Sequence, residues 1–173
     1  MKELILGGVR SGKSRYAEQR AHSSNLPVVY IATATAGDAE MSARIRAHQE
    51  RRPLTWSLVE TPRTLAATLR AQAAPDRCVL VDCLTLWLTN LLCADDEIEF
   101  RAERHALLET LPALPGHIIL VSNETNMGMI ALGELSRRFS DEAGRLHQEL
   151  AFLCDRVVLT VAGLPLFLKG TAT

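Results

Sequence analysis

Short unbroken apolar runs alternate along this chain with longer stretches in which apolar residues recur every three or four positions. Leu4-Ile5-Leu6, Val28 to Thr33, Cys78 to Asp82, Ile118 to Asn123 and Arg156 to Ala162 are the runs. Rich in β-branched and aliphatic residues, they predict strands covered on both faces. Helices are expected after Gly12 to about His22, from Glu40 to Glu50, from Pro62 to Ala73, from Thr85 to Leu92, from Ile98 to Leu111 and from Leu135 to Cys154. Pro53 ends the second by disfavouring helical geometry at Arg52, and Pro62 suits the first turn of the third. In the last helix Phe139, Ala143, Leu146, Leu150 and Leu153 step by four, three, four and three, which makes one continuous buried stripe. A further strand is expected over Thr55 to Val59, and a short antiparallel edge strand over Leu166 to Lys169 after a Gly163–Pro165 turn. Strands alternating with helices imply right-handed crossovers and a mainly parallel sheet with helices on both faces. With no repeat, low-complexity stretch or linker, residues 1–173 read as one domain.

Composition changes this picture little. An apolar fraction of 47% and a charged fraction of 23% are those of an ordinary globule. A net charge of -1 gives no general attraction to nucleic acid or anionic lipid, so any anion site must be local. No apolar run approaches a membrane span, and the first residues enter a strand without the long apolar core of a signal peptide. Cys78, Cys83, Cys93 and Cys154 lack metal-site spacing, and three fall in segments that read as buried, so reduced thiols and a cytoplasmic location are expected.

The strongest chemical signal is Gly7-Gly8-Val9-Arg10-Ser11-Gly12-Lys13-Ser14, which fits G-x-x-x-x-G-K-[ST] between a strand and a helix. Glycines let the backbone curl so that its N–H groups face phosphate oxygens, and the following helix dipole adds positive potential there. Lys13 would reach the β and γ phosphates, and the Ser14 hydroxyl would ligate Mg²⁺. The motif predicts binding of a nucleoside triphosphate.

Functional groups in such a sheet collect beyond the carboxyl ends of its strands. Asp82 ends one strand, and it reads either as a Mg²⁺ ligand or as a helix N-cap. Asn123 and Glu124 end another, where they polarise an attacking group, order the metal's waters, or simply cap a turn. His48 stands among Arg44, Arg51 and Arg52, a setting that favours a neutral, nucleophilic imidazole near a phosphate anion. Taken alone, a histidine on a solvated basic helix is the commoner reading of this pattern. His22, His105, His117 and His147 show no comparable setting and receive no role. A regulatory GTPase is disfavoured by the lack of an Asn-Lys-x-Asp element, and Asp141-Glu142-Ala143-Gly144, a match to D-x-x-G, falls inside a helix and not at a strand end.

Together these segments resemble one family, the bifunctional adenosylcobinamide kinase / adenosylcobinamide-phosphate guanylyltransferases of cobalamin biosynthesis. The likeness runs through Gly7 to Arg15, Tyr30 to Ala34, Asp38 to Met41, Arg44-Ile45, His48 and Arg52-Pro53. It continues through Trp56, Val81 to Thr85, Thr89 to Leu92, Val121 to Glu124, Gly128-Met129 and Phe139 to Arg145. The resemblance implies a RecA-like P-loop NTPase fold and two reactions on one nucleotide site. A nucleoside triphosphate, ATP or GTP, first phosphorylates the substrate's aminopropanol hydroxyl. GTP then forms a guanylylated histidine and pyrophosphate, and the substrate phosphate takes the GMP to give adenosylcobinamide-GDP. The family's histidine falls on His48, here preceded by Ala47. Implied nucleotide contacts are the P-loop, Ala32, Thr33, Ala34, Gln49, Glu50, Arg51, Arg52, Arg63, Asp82 and Thr85, with Ser14 and Asp82 on Mg²⁺. Arg44 and Arg52 would orient α-phosphate oxygens. Expected partners are the nucleotides, the corrinoid substrate and further copies of the chain, with no nucleic acid. The alternatives are a plain P-loop small-molecule kinase and a nucleotide-switched binding protein, neither of which forms a covalent nucleotide.

Overall fold

The computed structural model describes residues 1–35, 53–127 and 132–171. The helix expected over Glu40 to Glu50, with His48, lies outside these residues, as do Gly128 and Met129.

Among these residues six parallel strands and one antiparallel edge strand form a single sheet. They are β1 (Lys2–Gly7), β2 (Val28–Ala32), β3 (Ser57–Glu60), β4 (Cys78–Asp82), β5 (His117–Asn123), β6 (Arg156–Val161) and β7 (Leu164–Lys169). Their order is β3-β2-β4-β5-β1-β6-β7. β1, which leads into the glycine-rich loop, is therefore central, and β5 separates it from β4, which ends in Asp82. In register, Leu6 faces Ser122, Gly7 faces Asn123, and Asp82 pairs with Val121 on one side and Ala32 on the other. Three carboxyl-terminal strand ends thus meet at one edge, as parallel crossover topology requires.

The helices are α1 (Lys13–Ser23), α2 (Leu65–Gln72), α3 (Leu84–Cys93), α4 (Glu97–Thr110) and α5 (Glu134–Leu153). Period-two alternation along the strands divides their side chains between two cores. Leu4, Leu6, Ile31, Val81, Ile118 and Leu120 pack under α2 to α5, around fully buried Trp87. Ile5, Tyr30, Leu80, Ile119 and Val121 pack on the opposite face against Ala17 and Ala21 of α1. The apolar stripe of α5 buries Ala143, Leu146 and Leu150, with Phe139 and Leu153 at its margins. Its start lacks a capping side chain, whereas Asp96 caps α4 by accepting from the N–H groups of Ile98 and Glu99, each at 3.0 Å.

Two expectations are corrected. α2 begins at Leu65, not Pro62. The carbonyls of Pro62 and Arg63 accept from the Asn90 amide at 3.0 Å and the Trp87 indole at 2.6 Å, so α3 holds this segment in a turn. β7 begins at Leu164, not Leu166, because the turn is only Ala162-Gly163, with φ of 52° and 81°. Both residues take the positive φ of a tight hairpin turn, so strand pairing starts at Val161↔Leu164. Pro165 is tolerated because β7 is an edge.

Candidate active site

The glycine-rich loop runs from the end of β1 into α1. Gly12 has φ of 94°, open to glycine at little cost, and no side chain caps the first turn of α1. The N–H groups there are left for a ligand to satisfy, which is the basis of anion binding at helix starts. Ser11 N–H donates to Gly8 O at 3.1 Å, and Lys13 Nζ folds back to donate to Gly8 O at 3.3 Å. Partial burial pulls the Lys13 ammonium below its ordinary range, with the Cys83 and Asp82 side chains acting in the opposite direction. The loop is curled around the place where phosphate would sit, with its cation above it.

The β6–β7 hairpin braces this curl. Ser11 and Thr160 share a hydroxyl–hydroxyl hydrogen bond of 2.9 Å, and Thr160 also donates to Leu6 O at 3.1 Å. Gly163 N–H donates to Ser11 O at 2.9 Å. A Cβ on Gly7 would stand 2.3 Å from both Ser11 Oγ and Thr160 Oγ1, and one on Gly12 would stand 3.0 Å from Gly163 Cα. Both glycines therefore serve close approach. Val9 and Arg10 form the loop's exposed outer turn, Arg10 with φ of 57°.

Asp82 is fixed from the neighbouring strand. Tyr30 Oη donates to Asp82 Oδ2 at 2.6 Å. Thr33 is fully buried; its hydroxyl accepts from Cys83 N–H at 2.9 Å and donates to Cys83 O at 2.7 Å. Asn90 Nδ2 donates to Thr33 O at 2.8 Å. Ala32 to Ala34 thus form the wall beside the carboxylate rather than a set of free donors. The Arg63 guanidinium donates from Nη1 to Glu99 Oε2 at 2.9 Å, an exposed pair that leaves its other N–H groups for a further ligand.

Beyond β5 lies a connected polar network. Thr85 Oγ1 accepts from Asn123 N–H at 2.7 Å and lies 3.3 Å from Ser122 Oγ. Ser122 Oγ is 2.8 Å from His147 Nε2, and His147 Nδ1 is 3.8 Å from Glu124 Oε2. Glu124 N–H donates to Gly7 O at 3.0 Å, which seats this residue directly against the loop. Burial holds the His147 imidazole below its usual range, with Glu124 opposing. His117, also assigned no role from sequence, donates from Nε2 to Glu3 at the opposite end of the strands, 2.7 Å away.

The structure therefore brings Gly7 to Ser14, Ala32 to Ala34, Asp82 and Thr85 to one edge, while His48 and Gln49 to Arg52 lie outside the described residues. Sequence reasoning missed Tyr30, Thr160, Ser122 and His147. His147 was detectable: with Ala143, Leu146 and Leu150 it completes the i, i+3, i+4, i+7 spacing of a buried stripe. Tyr30 lies two positions before Ala32, the partner of Asp82, so alternation puts both side chains on one face. Burial pushes the Cys78 and Cys83 thiols up to about 11 and the Cys154 thiol up to about 12, which makes them unreactive.

Hard oxygen donors from Ser14 and Asp82 suit Mg²⁺, which takes few protein ligands and completes its shell with phosphate and water. Among the described residues no cluster of three or more His, Cys, Asp or Glu could hold a metal by itself. No helix among them is long and apolar enough to cross a membrane.

Solved structures share this architecture at low identity. The RadB recombinase matches with a TM-score of 0.53 and 16% identity, over 91% of this chain and 73% of that one. The P4 protein of bacteriophage phi6, in complex with ADP, matches at 0.51 and 14%, over 95% and 53%. The fold is that of P-loop NTPases. Sequence comparison is more specific. The bifunctional adenosylcobalamin biosynthesis protein CobP of Pseudomonas aeruginosa is 63% identical over 170 residues, 98% of each chain. CobU of Salmonella typhimurium is 38% identical over 183 aligned positions, 98% of this chain and 100% of the relative. A family model described as cobinamide kinase / cobinamide phosphate guanyltransferase matches residues 3–168. With its phosphate cradle, braced strand-end carboxylate and whole-length match, the chain belongs to this family and is a transferase of cobalamin biosynthesis.

Proposed function

We propose that one nucleotide site serves both reactions of this enzyme, and that His48 carries the GMP between them. The observation that supports this reading is the uncapped start of α1, with Lys13 folded over the loop and Asp82 held at the adjacent strand end. The cradle grips the triphosphate tail. In the kinase step the γ-phosphoryl passes to the substrate hydroxyl, from ATP or GTP. In the transferase step the α-phosphorus of GTP is attacked by His48 Nε2 or Nδ1, the α–β bridging bond breaks, and pyrophosphate leaves. The substrate phosphate then displaces histidine, forming adenosylcobinamide-GDP. Splitting the transfer avoids aligning two anions for direct attack.

Ser14 and Asp82 would hold Mg²⁺, which neutralises charge on the phosphates when bound. Tyr30 fixes Asp82, Lys13 attracts the departing oxygens, and Arg44 and Arg52 orient the α-phosphate. Gln49 to Arg52, Ala32 to Ala34, Arg63 and Thr85 complete the nucleotide contacts. The chain works in the cytoplasm as a homo-oligomer. Leu164, Leu166 and Leu168 lie on one face of edge strand β7 with 71%, 56% and 57% exposure, which favours burial against another copy.

The test is incubation with GTP labelled at the α-phosphate and Mg²⁺, followed by denaturing electrophoresis. Acid-labile, base-stable label on wild type and none on His48→Ala is expected. Label retained by the variant places the nucleophile elsewhere, and no label on GTP-binding wild type removes the covalent step.

A further inference from the structure

We propose that Glu124 is the carboxylate that receives the proton of the substrate hydroxyl during phosphoryl transfer, and that His147, set by Ser122 and Thr85, holds it in position. The proposal deepens the kinase half of the reading above and does not depend on His48.

Position comes first. β5 lies between β1, which leads into the phosphate cradle, and β4, which ends in Asp82. Glu124 is the first residue past β5, and its own N–H is bonded to Gly7 O at 3.0 Å. It therefore stands between the two groups that flank a transferring phosphoryl. Its side chain retains 15% exposure, enough for a hydroxyl to reach. One oxygen is committed: Oε1 accepts from Asn126 N–H at 2.7 Å. Among the described residues Oε2 accepts no hydrogen bond, and its neighbour is His147 Nδ1 at 3.8 Å. A carboxylate with one oxygen anchored and one open has the form expected of a base in phosphoryl transfer.

Proton placement in the network follows from its Glu124 end. A carboxylate 3.8 Å from His147 Nδ1 favours the ring proton of the neutral imidazole on that nitrogen. Nδ1 is buried, points toward Glu124 and, among the described residues, has no hydrogen-bond partner. Nε2 is then the acceptor, and Ser122 Oγ donates to it at 2.8 Å, with Thr85 Oγ1 3.3 Å behind Ser122. Nδ1–H holds the open carboxylate by electrostatics without saturating it, and a small rotation brings it into hydrogen-bond range. A buried donor without a partner is costly, so the position calls for an explanation, and an anion that shifts during reaction supplies one. The order Ser122–His147–Glu124 resembles an acyl-transfer triad, but Ser122 is only 2% exposed and cannot meet a substrate.

In the step itself the hydroxyl oxygen bonds to the γ-phosphorus as the β–γ bridging bond breaks. The nucleoside diphosphate leaves, and the hydroxyl proton passes to Glu124 Oε2 and then to water. Neither attack at the α-phosphorus nor attack by the substrate phosphate removes a proton from an alcohol.

The test uses the full chain with Mg²⁺ and nucleotide. Phosphorylation of adenosylcobinamide is measured separately from GMP transfer to adenosylcobinamide phosphate supplied ready-made. Glu124→Gln keeps the shape and the Asn126 contact. It is expected to lower kcat of phosphorylation about 100-fold, with KM values moving less than about threefold. The loss should exceed that in GMP transfer by at least about tenfold. Phosphorylation within about threefold of wild type, or equal loss in both reactions, overturns the assignment. His147→Phe should lower the same kcat about tenfold at constant KM, and His147→Gln, which restores a donor toward Glu124, should recover most of it. Wild-type kcat in His147→Phe, or no recovery in His147→Gln, removes the positioning role. If His147→Phe fails to fold, Glu124→Gln and His147→Gln decide alone. Absence of label on His48 would sink the covalent mechanism and leave this comparison intact.

Discussion

Two histidine–glutamate pairs stand at opposite ends of the same two strands, and they differ in how fully the carboxylate is satisfied. At the amino end, Glu3 is completely buried. Its Oε1 takes His117 at 2.7 Å, Arg20 at 2.9 Å and Arg156 at 3.4 Å, and its Oε2 takes Arg20 again at 3.3 Å. At the carboxyl end Glu124 has one backbone donor and one histidine still 3.8 Å away. The same residue types make a closed structural knot in one place and an open, loaded position in the other. A buried charge held by four hydrogen bonds cannot do chemistry without being unmade, whereas a partly exposed one whose second oxygen accepts no bond among the described residues can.

Removing the closed pair should give the largest effect, and on stability alone. Burial by itself would raise the Glu3 carboxyl, but hydrogen bonds from His117 and Arg20 outweigh it and hold the group at about 2, down from 4.5. That difference corresponds to roughly 3 kcal/mol. Glu3→Gln removes a buried carboxylate that Arg20, His117 and Arg156 all bond, so a loss of about 3 kcal/mol is expected in urea unfolding at pH 7. The kcat of the folded fraction should not change. Because the folded-state value is depressed, the stabilisation is fully present above pH 4.5 and is lost as pH falls toward 2. The gap between wild type and Glu3→Gln should therefore close over that window. A constant gap, or a lowered kcat, would break the division between the two ends.

At the open end the next largest effect should come from Tyr30→Phe, which deletes the 2.6 Å donor to Asp82 while keeping the ring. Supports behind metal-ligating groups commonly affect metal affinity by about 10- to 100-fold. The Mg²⁺ concentration for half-maximal rate should rise by about tenfold, with the unfolding midpoint nearly unchanged. A large fall in stability with unaltered Mg²⁺ dependence would make Tyr30 a core residue and Asp82 a turn residue.

Much of this arrangement was legible beforehand. Strand runs ending in Asp82 and Asn123, and the loop from Gly7 to Ser14, gave the sheet and its working edge, because hydrophobic period and glycine spacing are local properties. What was not legible depends on register between distant segments. Tyr30 meets Asp82 across 52 positions, and Ser11 meets Thr160 across 149. Pro62 misled for a related reason: its helix-start chemistry was real, but carbonyl contacts from Asn90 and Trp87, distant in sequence, overrode it. Glu3 and His117 drew no attention because nothing in the first few residues shows that two arginines will arrive from α1 and β6.

The smallest expected effect tests whether the edge hairpin belongs to the open end. Thr160 is 1% exposed and spends its hydroxyl on Ser11 and Leu6 O, both at the base of the phosphate cradle. Thr160→Val keeps the shape and the β-branched fit of β6 but leaves Ser11 Oγ without this partner and frees the loop to open. Losing one hydrogen bond of this kind is worth about 1 kcal/mol, so KM for the nucleotide should rise about fivefold while kcat at saturation stays within about twofold. Under the proposal that both reactions share the cradle, the KM shift should be equal for phosphorylation and for GMP transfer, unlike the selective loss expected of Glu124→Gln. A KM change confined to one reaction would mean that the two do not use the same phosphate site. No change in KM would mean that Gly163 N–H on Ser11 O is brace enough, and that the hairpin's grip is on the backbone rather than on the side chains.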